Sequence, residues 1–283
     1  MIDLQTLIFF KTVAECSSFS AASHKLKYAQ SNISTKIIRL ENDLQTALFY
    51  RNNKGVTLTP KGKLFLDYTN EMLCLLETAE IAMKDNVEAS GSLTIGSLET
   101  ITQTYLPRLL SNYHKNNPKV QLSIKTGTSV ELIDAVLNRT LDAAFISGPA
   151  KHPNLVKKKY KSEKLLLATT SDSKATLQKL QNETLLVFTN GCYYRHLLEQ
   201  LLHDNNIVPK QAIEYDSISG IIASLCAGLG ISLLPRSVLS EYQKYNMLST
   251  MEVDECYSLV DTYFIYRNDY YFTTAFSHFC DSF

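Results

Sequence analysis

The apolar positions between residues 19 and 60 predict two short helices followed by a hairpin. Ser20 is a candidate N-cap of the first helix, and Leu26 supplies a core contact before a turn at residues 27–29. Ser31 is a candidate cap of the second helix. The apolar side chains of that helix recur on one face: Ile33, Ile37, Leu40 and Leu44. This face is expected to pack against the core of a small domain.

The opposite face of the second helix is polar. Amide, hydroxyl and cationic side chains gather there: Ser31, Asn32, Thr35, Lys36 and Arg39. Such groups hydrogen-bond to base edges and phosphates of DNA. On an isolated helix, an ordinary solvated face is the more common explanation. The hairpin that follows carries Arg51, Lys54 and Gly55, which are typical of a basic wing, so the whole segment favours a winged helix-turn-helix.

Residues 61–88 predict one long helix with an apolar seam. The seam positions are spaced three and four residues apart: Phe65, Tyr68, Met72, Leu75, Ala79 and Ala82. A second apolar edge leaves open that the stripe packs onto the chain's own domain; this edge consists of Leu64, Leu73, Leu76 and Met83. Because a helix of about 40 Å is long for burial on one small domain, we favour dimerisation.

After Ser90 the chain alternates short β-rich runs with amphipathic segments, which predicts an α/β domain with about two sheets. The runs are 93–96, 120–125, 143–147, 165–170, 185–189, 212–215, 231–234 and 259–267. In open α/β sheets, ligands bind beyond the carboxyl ends of the strands, where helices begin. We therefore expect a ligand cleft that is lined by the polar groups following these runs.

Three strand ends carry candidate effector-binding groups. They are Ser97, Thr100, Thr102, Thr128, Ser129, Cys192 and Arg195. Hydroxyls and N–H groups at helix N-termini attract anions, and an arginine holds a carboxylate by two hydrogen bonds, so we expect an anionic or polar metabolite. Thr128 or Ser129 has the alternative role of a helix cap, and Arg195 that of a surface ion-pair residue. Glu99 argues against an anion unless its carboxylate points away from the cleft.

Cys192 also invites a redox or nucleophilic interpretation. A thiol at a helix N-terminus beside Arg195 would have a lowered pKa. A small, partly buried residue is the simpler interpretation, and His196 is the only nearby base, so we expect no catalytic residue. The six cysteines lack C-x-x-C spacing and the six histidines lack metal-ligand spacing. We expect reduced thiols and no metal site.

The formal net charge is zero, which by itself argues against DNA binding. The charge is segregated, however: residues 1–63 hold nine Lys or Arg against four acids, and residues 64–90 hold one Lys against six acids. With 283 residues and 45% hydrophobic content, the chain is long enough for two or three domains. No signal-peptide pattern or long apolar run occurs, so we expect a cytoplasmic protein with no membrane partner.

Many positions in the first sixty residues match a known family signature at fixed spacing. They are Phe19, Ser20, Ala21, Ala22, Leu26, Gln30, Ser31, Ser34, Leu40, Glu41, Leu44, Leu48, Phe49, Arg51, Leu58, Thr59 and Gly62. Further matches are 91–96, Leu106, Pro107, Pro118, Leu141, Asp142, 228–231, Leu234 and Pro235. Over essentially its whole length, the chain resembles LysR-type transcriptional regulators.

The resemblance implies a fold and a division into parts. The parts are a winged helix-turn-helix at 1–60, a linker and dimerisation helix at 61–89, and an effector-binding domain at 90–283. That domain would have two Rossmann-like lobes, similar to those of periplasmic binding proteins, with a small-molecule cleft between them. Lobe I would cover about 90–161 and 266–283, and lobe II about 162–265.

The resemblance also implies contacts and partners. It carries DNA-contact roles onto Gln30, Ser31, Ser34, Thr35 and Lys36, and backbone contacts onto Arg51 and Lys54. The implied partners are double-stranded operator DNA, a small-molecule effector of unknown identity and a second or further copies of the chain, as a homodimer or homotetramer. RNA polymerase is a further candidate partner, and no cofactor is expected. Two alternatives remain: a solute-binding protein without a regulatory role, and an enzyme that uses Cys192.

Overall fold

The computed structural model describes residues 2–52, 55–83 and 88–283, and the chain forms two compact units, Met1–Asp85 and Asn86–Phe283. The helices are α1 Leu4–Cys16, α2 Phe19–Leu26, α3 Gln30–Asp43, α4 Pro60–Met83, α5 Glu99–Thr104, α6 Leu106–Asn116, α7 Ser129–Leu137, α8 Lys179–Asn182, α9 Tyr193–Asp204, α10 Ile218–Cys226, α11 Arg236–Lys244, α12 Glu255–Ser258 and α13 Thr274–Cys280. The strands are β1 Phe49–Asn52, β2 Gly55–Leu58, β3 Gly91–Ser97, β4 Val120–Thr126, β5 Ala143–Ser147, β6 Leu155–Thr170, β7 Thr184–Phe188, β8 Gln211–Tyr215, β9 Ser232–Pro235, β10 Leu248–Glu252 and β11 Leu259–Arg267.

The first unit packs α1, α2, α3 and a hairpin around one apolar core. Its buried side chains include Phe9, Phe10, Val13, Ala22, Ile33, Ile37, Leu40 and Leu48. The ring of Phe10 lies 5.2 Å from that of Phe49 and 5.1 Å from that of Phe65, centroid to centroid, so α1 joins the hairpin to α4. The sequence pattern had not included α1, which supplies a large part of this core.

Both N-caps expected in this unit are wrong by two residues. The cap of α2 is Ser18, whose Oγ accepts a hydrogen bond from the backbone N–H of Ala21 at 3.2 Å, and Ser20 lies inside the helix. Helix α3 starts at Gln30 after Ala29, which has no side-chain cap, so Ser31 is already in the first helical turn. Ser18 has the extended backbone that an N-cap requires, so α2 starts at the next residue, Phe19.

Strands β1 and β2 form an antiparallel hairpin with Phe49 opposite Leu58 and Arg51 opposite Val56. Gly55 begins β2 with a φ of +134°, where a Cβ would lie 2.9 Å from the carbonyl oxygen of Ser17. That same carbonyl accepts a hydrogen bond from Val56 N at 3.0 Å. Glycine is therefore required where the wing meets the loop between α1 and α2. Arg51 lies in strand β1, not in the turn where the sequence had placed it.

Helix α4 contains 24 residues and is about 36 Å long at 1.5 Å per residue. Its start packs on the first unit, because Phe65 contacts Phe10 in the core and so does not belong to an open seam as expected. Farther along, four of the predicted seam residues are exposed in the single chain: Tyr68 (55%), Met72 (42%), Leu75 (68%) and the small Ala79. The middle of α4 thus presents an apolar stripe that the chain itself leaves uncovered.

Two long strands, β6 and β11, organise the second unit. The strand order of its main sheet is β10-β6-β11-β5-β3-β4, with β9 also paired to β6. Strands β3, β4 and β5 are parallel, whereas β11 runs antiparallel to β5 and β6. Strands β7 and β8 form a separate parallel pair. The sequence pattern identified only residues 165–170 of β6, because the first ten residues of that strand are rich in lysine and lack apolar alternation. It also missed β10.

The unit has two lobes that share β6 and β11. Lobe I surrounds β3, β4 and β5 and buries Phe145 and Phe264, whereas lobe II surrounds β7 to β10 and buries Leu186 and Leu234. Strand β11 pairs with β5 of lobe I from Thr262 to Tyr266. The chain has therefore re-entered lobe I by Thr262, earlier than the expected return near 266, because β11 is one continuous strand whose second half completes the lobe I sheet.

Candidate DNA-binding surface and interlobe cleft

Helix α3 presents its predicted polar side chains at the surface of the first unit. Five of them are exposed: Gln30, Ser31, Asn32, Thr35 and Arg39. Ser34 and Lys36 are half-buried, while Ile33 and Ile37 on the opposite side are fully buried. The helix therefore offers amide, hydroxyl and cationic groups along one side, which are the groups that hydrogen-bond to bases and phosphates.

Lys36 is held by a carboxylate at the start of α1. Its Nζ lies 2.6 Å from Oδ2 of Asp3, while Oδ1 of Asp3 caps α1 by accepting a hydrogen bond from Thr6 N at 2.7 Å. The bonds from Lys36 and Thr6 hold the pKa of Asp3 well below its usual range, so this carboxylate is ionised at neutral pH. It competes with any phosphate for Lys36. Sequence analysis missed Asp3 because it lies 33 positions from its partner.

Arg51 is likewise oriented by a carboxylate. Its guanidinium donates to Oε2 of Glu41 at 2.6 Å and lies 5.3 Å from the centroid of the Phe19 ring. Oε1 of Glu41 also accepts from the backbone N–H groups of Leu48 and Phe49. Glu41 thus ties the end of α3 to the base of the wing. Lys54, the other predicted wing contact, lies outside the described residues.

The second unit contains a cleft of about 590 Å³ between the two lobes. Lobe I lines it with residues of α5 and of the loop before α7, and lobe II lines it with Phe188, Cys192, Tyr194 and the residues before α10. Near this region the lobes approach closely at Gly148, whose φ is +90° and where a Cβ would lie 2.6 Å from the Tyr193 ring. The cleft lies beyond the carboxyl ends of β3, β4 and β7, as the rule for α/β sheets predicts.

Of the predicted hydroxyls after β3, Thr100 and Thr102 line the cleft and Ser97 does not. Thr100 Oγ1 shares a buried hydrogen bond of 3.1 Å with the Tyr194 hydroxyl of lobe II. Thr102 Oγ1 donates to the Leu98 carbonyl at 3.1 Å. Ser97 is fully buried and its hydroxyl also donates to Leu98 O, so the structure does not bring it to the cleft surface with Thr100 and Thr102.

The hydroxyls before α7 have structural roles. Thr128 forms a capping box with Glu131: the Thr128 side chain accepts from Glu131 N, and Glu131 Oε2 accepts from both the N–H and the hydroxyl of Thr128. Ser129 is buried and donates to the Ser147 carbonyl at 2.8 Å. Thr128 still lines the cleft beside Glu131, whereas Ser129 does not. The hydrogen bonds of Thr128 are therefore those of a helix cap, which was the alternative role.

Arg195 does not line the cleft, and its Nε and Nη1 donate to groups of lobe II. Its Nε lies 2.8 Å from Glu199 Oε1, and its Nη1 donates to Glu214 Oε1 at 2.7 Å and to the Phe188 carbonyl at 3.1 Å. Two carboxylates of its own lobe hold the guanidinium, so the structure does not bring Arg195 together with the other predicted effector-binding residues at the cleft. The sequence pattern could not show the Glu214 contact, which joins α9 to β8.

Cys192 lines the cleft, but its environment opposes a reactive thiolate. Burial raises the pKa of the Cys192 thiol and outweighs the opposing effects of the Arg195 and Tyr194 backbone N–H groups and of the Arg195 charge. The lowered pKa expected beside an arginine is therefore wrong. The cleft residues that were not among the predicted effector-binding residues include Gln103, Glu131, Phe188, Thr189, Tyr194 and Asp216.

No cluster of three or more His, Cys, Asp or Glu side chains suitable for a metal ion occurs in the part of the chain that the structure describes. None of the described helices is both long and apolar enough to cross a membrane. The described cysteines Cys16, Cys192, Cys226, Cys256 and Cys280 are free thiols.

A winged helix-turn-helix unit and a two-lobed binding unit on one chain define a DNA-binding transcription regulator. Residues 4–63 match the model for bacterial regulatory helix-turn-helix proteins of the LysR family, and residues 86–283 match the LysR substrate binding domain. The chain belongs to the LysR family of transcriptional regulators. It is a regulator and not an enzyme, as its relatives are named, and the predicted family and fold class are confirmed.

Among the relatives, the HTH-type transcriptional regulator GltR of Bacillus subtilis (strain 168) is 41% identical over 280 residues, covering 98% of this chain and 95% of GltR. Full-length OxyR from Pseudomonas aeruginosa, solved as a cysteine variant, has a TM-score of 0.78 at 21% identity and covers 100% of this chain and 94% of its own. Full-length CbnR in complex with its target DNA has a TM-score of 0.70 at 22% identity and covers 99% and 98%. These two structures share the fold.

Proposed function

We propose that this regulator contacts operator DNA through the polar side of α3 and is controlled by a small molecule held in the interlobe cleft. The observation that carries the proposal is the presence on one chain of an exposed helix face rich in hydrogen-bonding groups and a cleft lined from both lobes. Gln30, Ser34 and Thr35 contact bases, and Lys36, Arg39 and the wing residues Arg51 and Lys54 contact bases or phosphates.

Two chains pair through α4 and present two recognition helices together. The exposed stripe of Tyr68, Met72 and Leu75 supports this pairing, because its spacing of four and three residues is that of an apolar seam between helices. Homodimers are the minimal unit in this proposal, and pairs of dimers form homotetramers. The regulator acts in the cytoplasm without a resident cofactor, and RNA polymerase is its further partner at promoters.

Coupling from the cleft uses the hydrogen bonds that join the lobes. Thr100 meets Tyr194, and Glu99 Oε2 accepts from Ile218 N at 2.8 Å. Near the shared strands, Glu163 Oε1 accepts from the Tyr105 hydroxyl and from Ser237 N at 2.8 Å. A ligand that contacts both lobes changes the balance among their relative orientations, and the change is passed to the paired α4 helices.

Genome-wide mapping of bound DNA in cells, followed by footprinting of the purified full chain, tests operator recognition. We expect a defined set of sites whose footprints weaken when Thr35 or Arg39 is replaced by Ala. Binding to those sites by a chain that lacks residues 1–60, or footprints unchanged in both variants, would contradict the proposal.

Light scattering tests pairing through α4. Met72→Glu and Leu75→Glu each place an unpaired charge in the apolar seam, so we expect monomers that bind operators weakly. Lys63→Glu, at an exposed polar position near the start of the same helix, is the matched control and should keep the parent mass. If both seam variants keep the molecular mass of the parent protein, the stripe does not form the contact between the two chains.

A further inference from the structure

Three acidic side chains line the interlobe cleft. Glu99, Glu131 and Asp216 line it, and no Lys, Arg or His belongs to its lining in the part of the chain that the structure describes. Arg195, the nearest expected cation, is held outside the cleft by Glu199 and Glu214. A carboxylate or phosphate in the cleft would therefore meet like charges without a basic side chain to offset them.

The helix N-termini around the cleft do not reverse this charge. Thr128 and Glu131 cap α7, and α10 is capped by Ser217, whose Oγ accepts from Gly220 N, and by Glu99, which accepts from Ile218 N. Helix α9 lacks a side-chain cap, and so does the six-residue helix α5, whose start also lines the cleft. An uncapped helix N-terminus carries about half a positive charge, which is small against three carboxylates.

Glu99 and Asp216 supply one carboxylate from each lobe to the cleft lining. Oε2 of Glu99 in lobe I accepts from the backbone of Ile218, two residues after Asp216 in lobe II. Asp216 is exposed and has no hydrogen-bond or ion-pair partner within the described residues. Glu99 Oε1 has only the Gln103 amide, at 3.5 Å. Both carboxylates therefore retain lone pairs for a ligand.

The remaining cleft walls suit an apolar ligand body. Leu98 and the Phe188 ring also line the cleft, and the Tyr194 ring forms a buried part of its wall. An aromatic face also attracts a cation. A metal ion fits less well, because no group of three metal-binding side chains occurs among the described residues.

Building on the proposed effector role of the cleft, we infer that its ligand is a small organic cation, an ammonium or guanidinium compound with an apolar body. The cationic group lies between Glu99 and Asp216, and the body packs toward Phe188. Because the two carboxylates belong to different lobes, their repulsion opposes close approach of the lobes. A cation between them removes that repulsion and favours the closed arrangement.

The test compares ligands that have the same skeleton and different charge. The probes are 1,4-diaminobutane, agmatine and benzylamine, with succinate, benzoate and butane-1,4-diol as anionic and neutral counterparts. Melting temperature and calorimetry are measured on the full chain at probe concentrations up to about 10 mM, which detects millimolar dissociation constants. We expect at least one cationic probe to bind and raise the melting temperature, and each anionic counterpart to bind more weakly than the matching amine.

Glu99→Gln and Asp216→Asn should each weaken binding of the cationic probe by about tenfold or more, as expected for the loss of a charged hydrogen-bond partner. Glu241→Gln removes an exposed carboxylate of α11 that does not line the cleft, and it should leave the affinity unchanged. Binding of the anionic probes in preference to the amines, absence of binding by every cationic probe, or equal effects of all three substitutions would overturn the inference.

A tethered cation gives a measurement that does not depend on the choice of probes. Gln103→Lys places an ammonium beside Glu99 in the cleft, and Gln103→Met is its uncharged control. We expect the lysine variant alone to melt at a higher temperature than the parent protein at low salt and to lose the response to amines. Equal melting of the two variants would contradict a negative cleft.

The failure of the ligand class is distinguishable from the failure of the proposed function. Thr102→Trp fills the cleft, and its effect is measured on transcription from the operators that DNA mapping identifies, after its melting temperature has shown that it folds. If this variant abolishes the regulation of transcription at those operators while amines fail to bind, the cleft is the effector site and the cation assignment is wrong. If the response persists with the cleft filled, both proposals fail.

Discussion

The two units use their charged side chains in different ways. On the first unit, the polar face of α3 is open to solvent, and Asp3 and Glu41 orient its neighbours Lys36 and Arg51 without burying them. In the second unit, the one arginine expected in the cleft is used by Glu199 and Glu214, and carboxylates face the cavity instead. A cation on a helix is therefore a candidate contact for a ligand only when carboxylates of the protein itself do not already occupy its hydrogen-bond donors.

The difference has a consequence for ligand charge. In the first unit, Lys36 and Arg51 remain 30% and 39% exposed although each is paired with a carboxylate. The cleft has the opposite arrangement, with acids at the lining and the cation outside. One chain with no formal net charge thus combines a surface suited to DNA with a cavity suited to a cation.

The largest effect is expected at the open face of α3. Arg39→Ala removes an exposed cation from the proposed groove side and should weaken operator binding by up to about 3 kcal/mol if the guanidinium contacts a base. Titration of operator DNA by anisotropy measures the change. Arg108→Ala, at an exposed arginine of α6 in the second unit, should leave affinity at the parent value. If the two variants lose affinity equally, the cations of the first unit have no special part in DNA contact.

In the cleft, loss of the buried hydrogen bond between Thr100 and Tyr194 is expected to lower the stability of the folded protein. Tyr194→Phe leaves the buried Thr100 hydroxyl without its 3.1 Å partner. We expect a loss of about 1–2 kcal/mol, or a melting temperature lower by about 4 °C. Tyr193→Phe, next along α9 and half-buried, is the control and should melt like the parent. Replacing Thr100 by Val in the Tyr194→Phe background should recover part of the loss, since both polar partners are then absent.

The same contrast explains what the sequence could predict. The buried and exposed sides of α3 follow from its helical period, so Ile33 and Ile37 on one side and Thr35 and Arg39 on the other were assigned correctly. Most strands were found from their apolar runs. Of the two carboxylate partners of Arg195, Glu199 lies one helical turn along α9, but Glu214 could not be found in this way because it reaches Arg195 only through the packing of β8 beside α9. The bond between Thr100 and Tyr194 joins residues 94 positions apart, and it depends on how the lobes meet.

A smaller effect is expected from Arg195, and it separates an ion-pair residue from a ligand clamp. The side chain is 17% exposed, and its carboxylate partners are 56% and 50% exposed, so solvent screens both pairs. Arg195→Ala should cost at most about 1 kcal/mol of stability and should not weaken binding of any cleft ligand. Melting curves and calorimetry with the bound probe measure both. A loss of ligand affinity larger than the loss of stability would restore the clamp assignment.

The smallest effect is expected where a carboxylate restrains a cation of the DNA-binding unit. Asp3→Asn keeps an N-cap oxygen for Thr6 N and removes the charge that holds Lys36 at 2.6 Å. Lys36 is then free to meet a phosphate, so affinity for all DNA sequences should rise by about two- to fivefold and the salt dependence should steepen by up to about one unit. Anisotropy titrations at several salt concentrations measure both quantities. In the Lys36→Gln background the same substitution should have a much smaller effect, because its main target is gone. An equal gain in both backgrounds would mean that Asp3 acts on DNA by its own charge, and that the pair does not restrain Lys36.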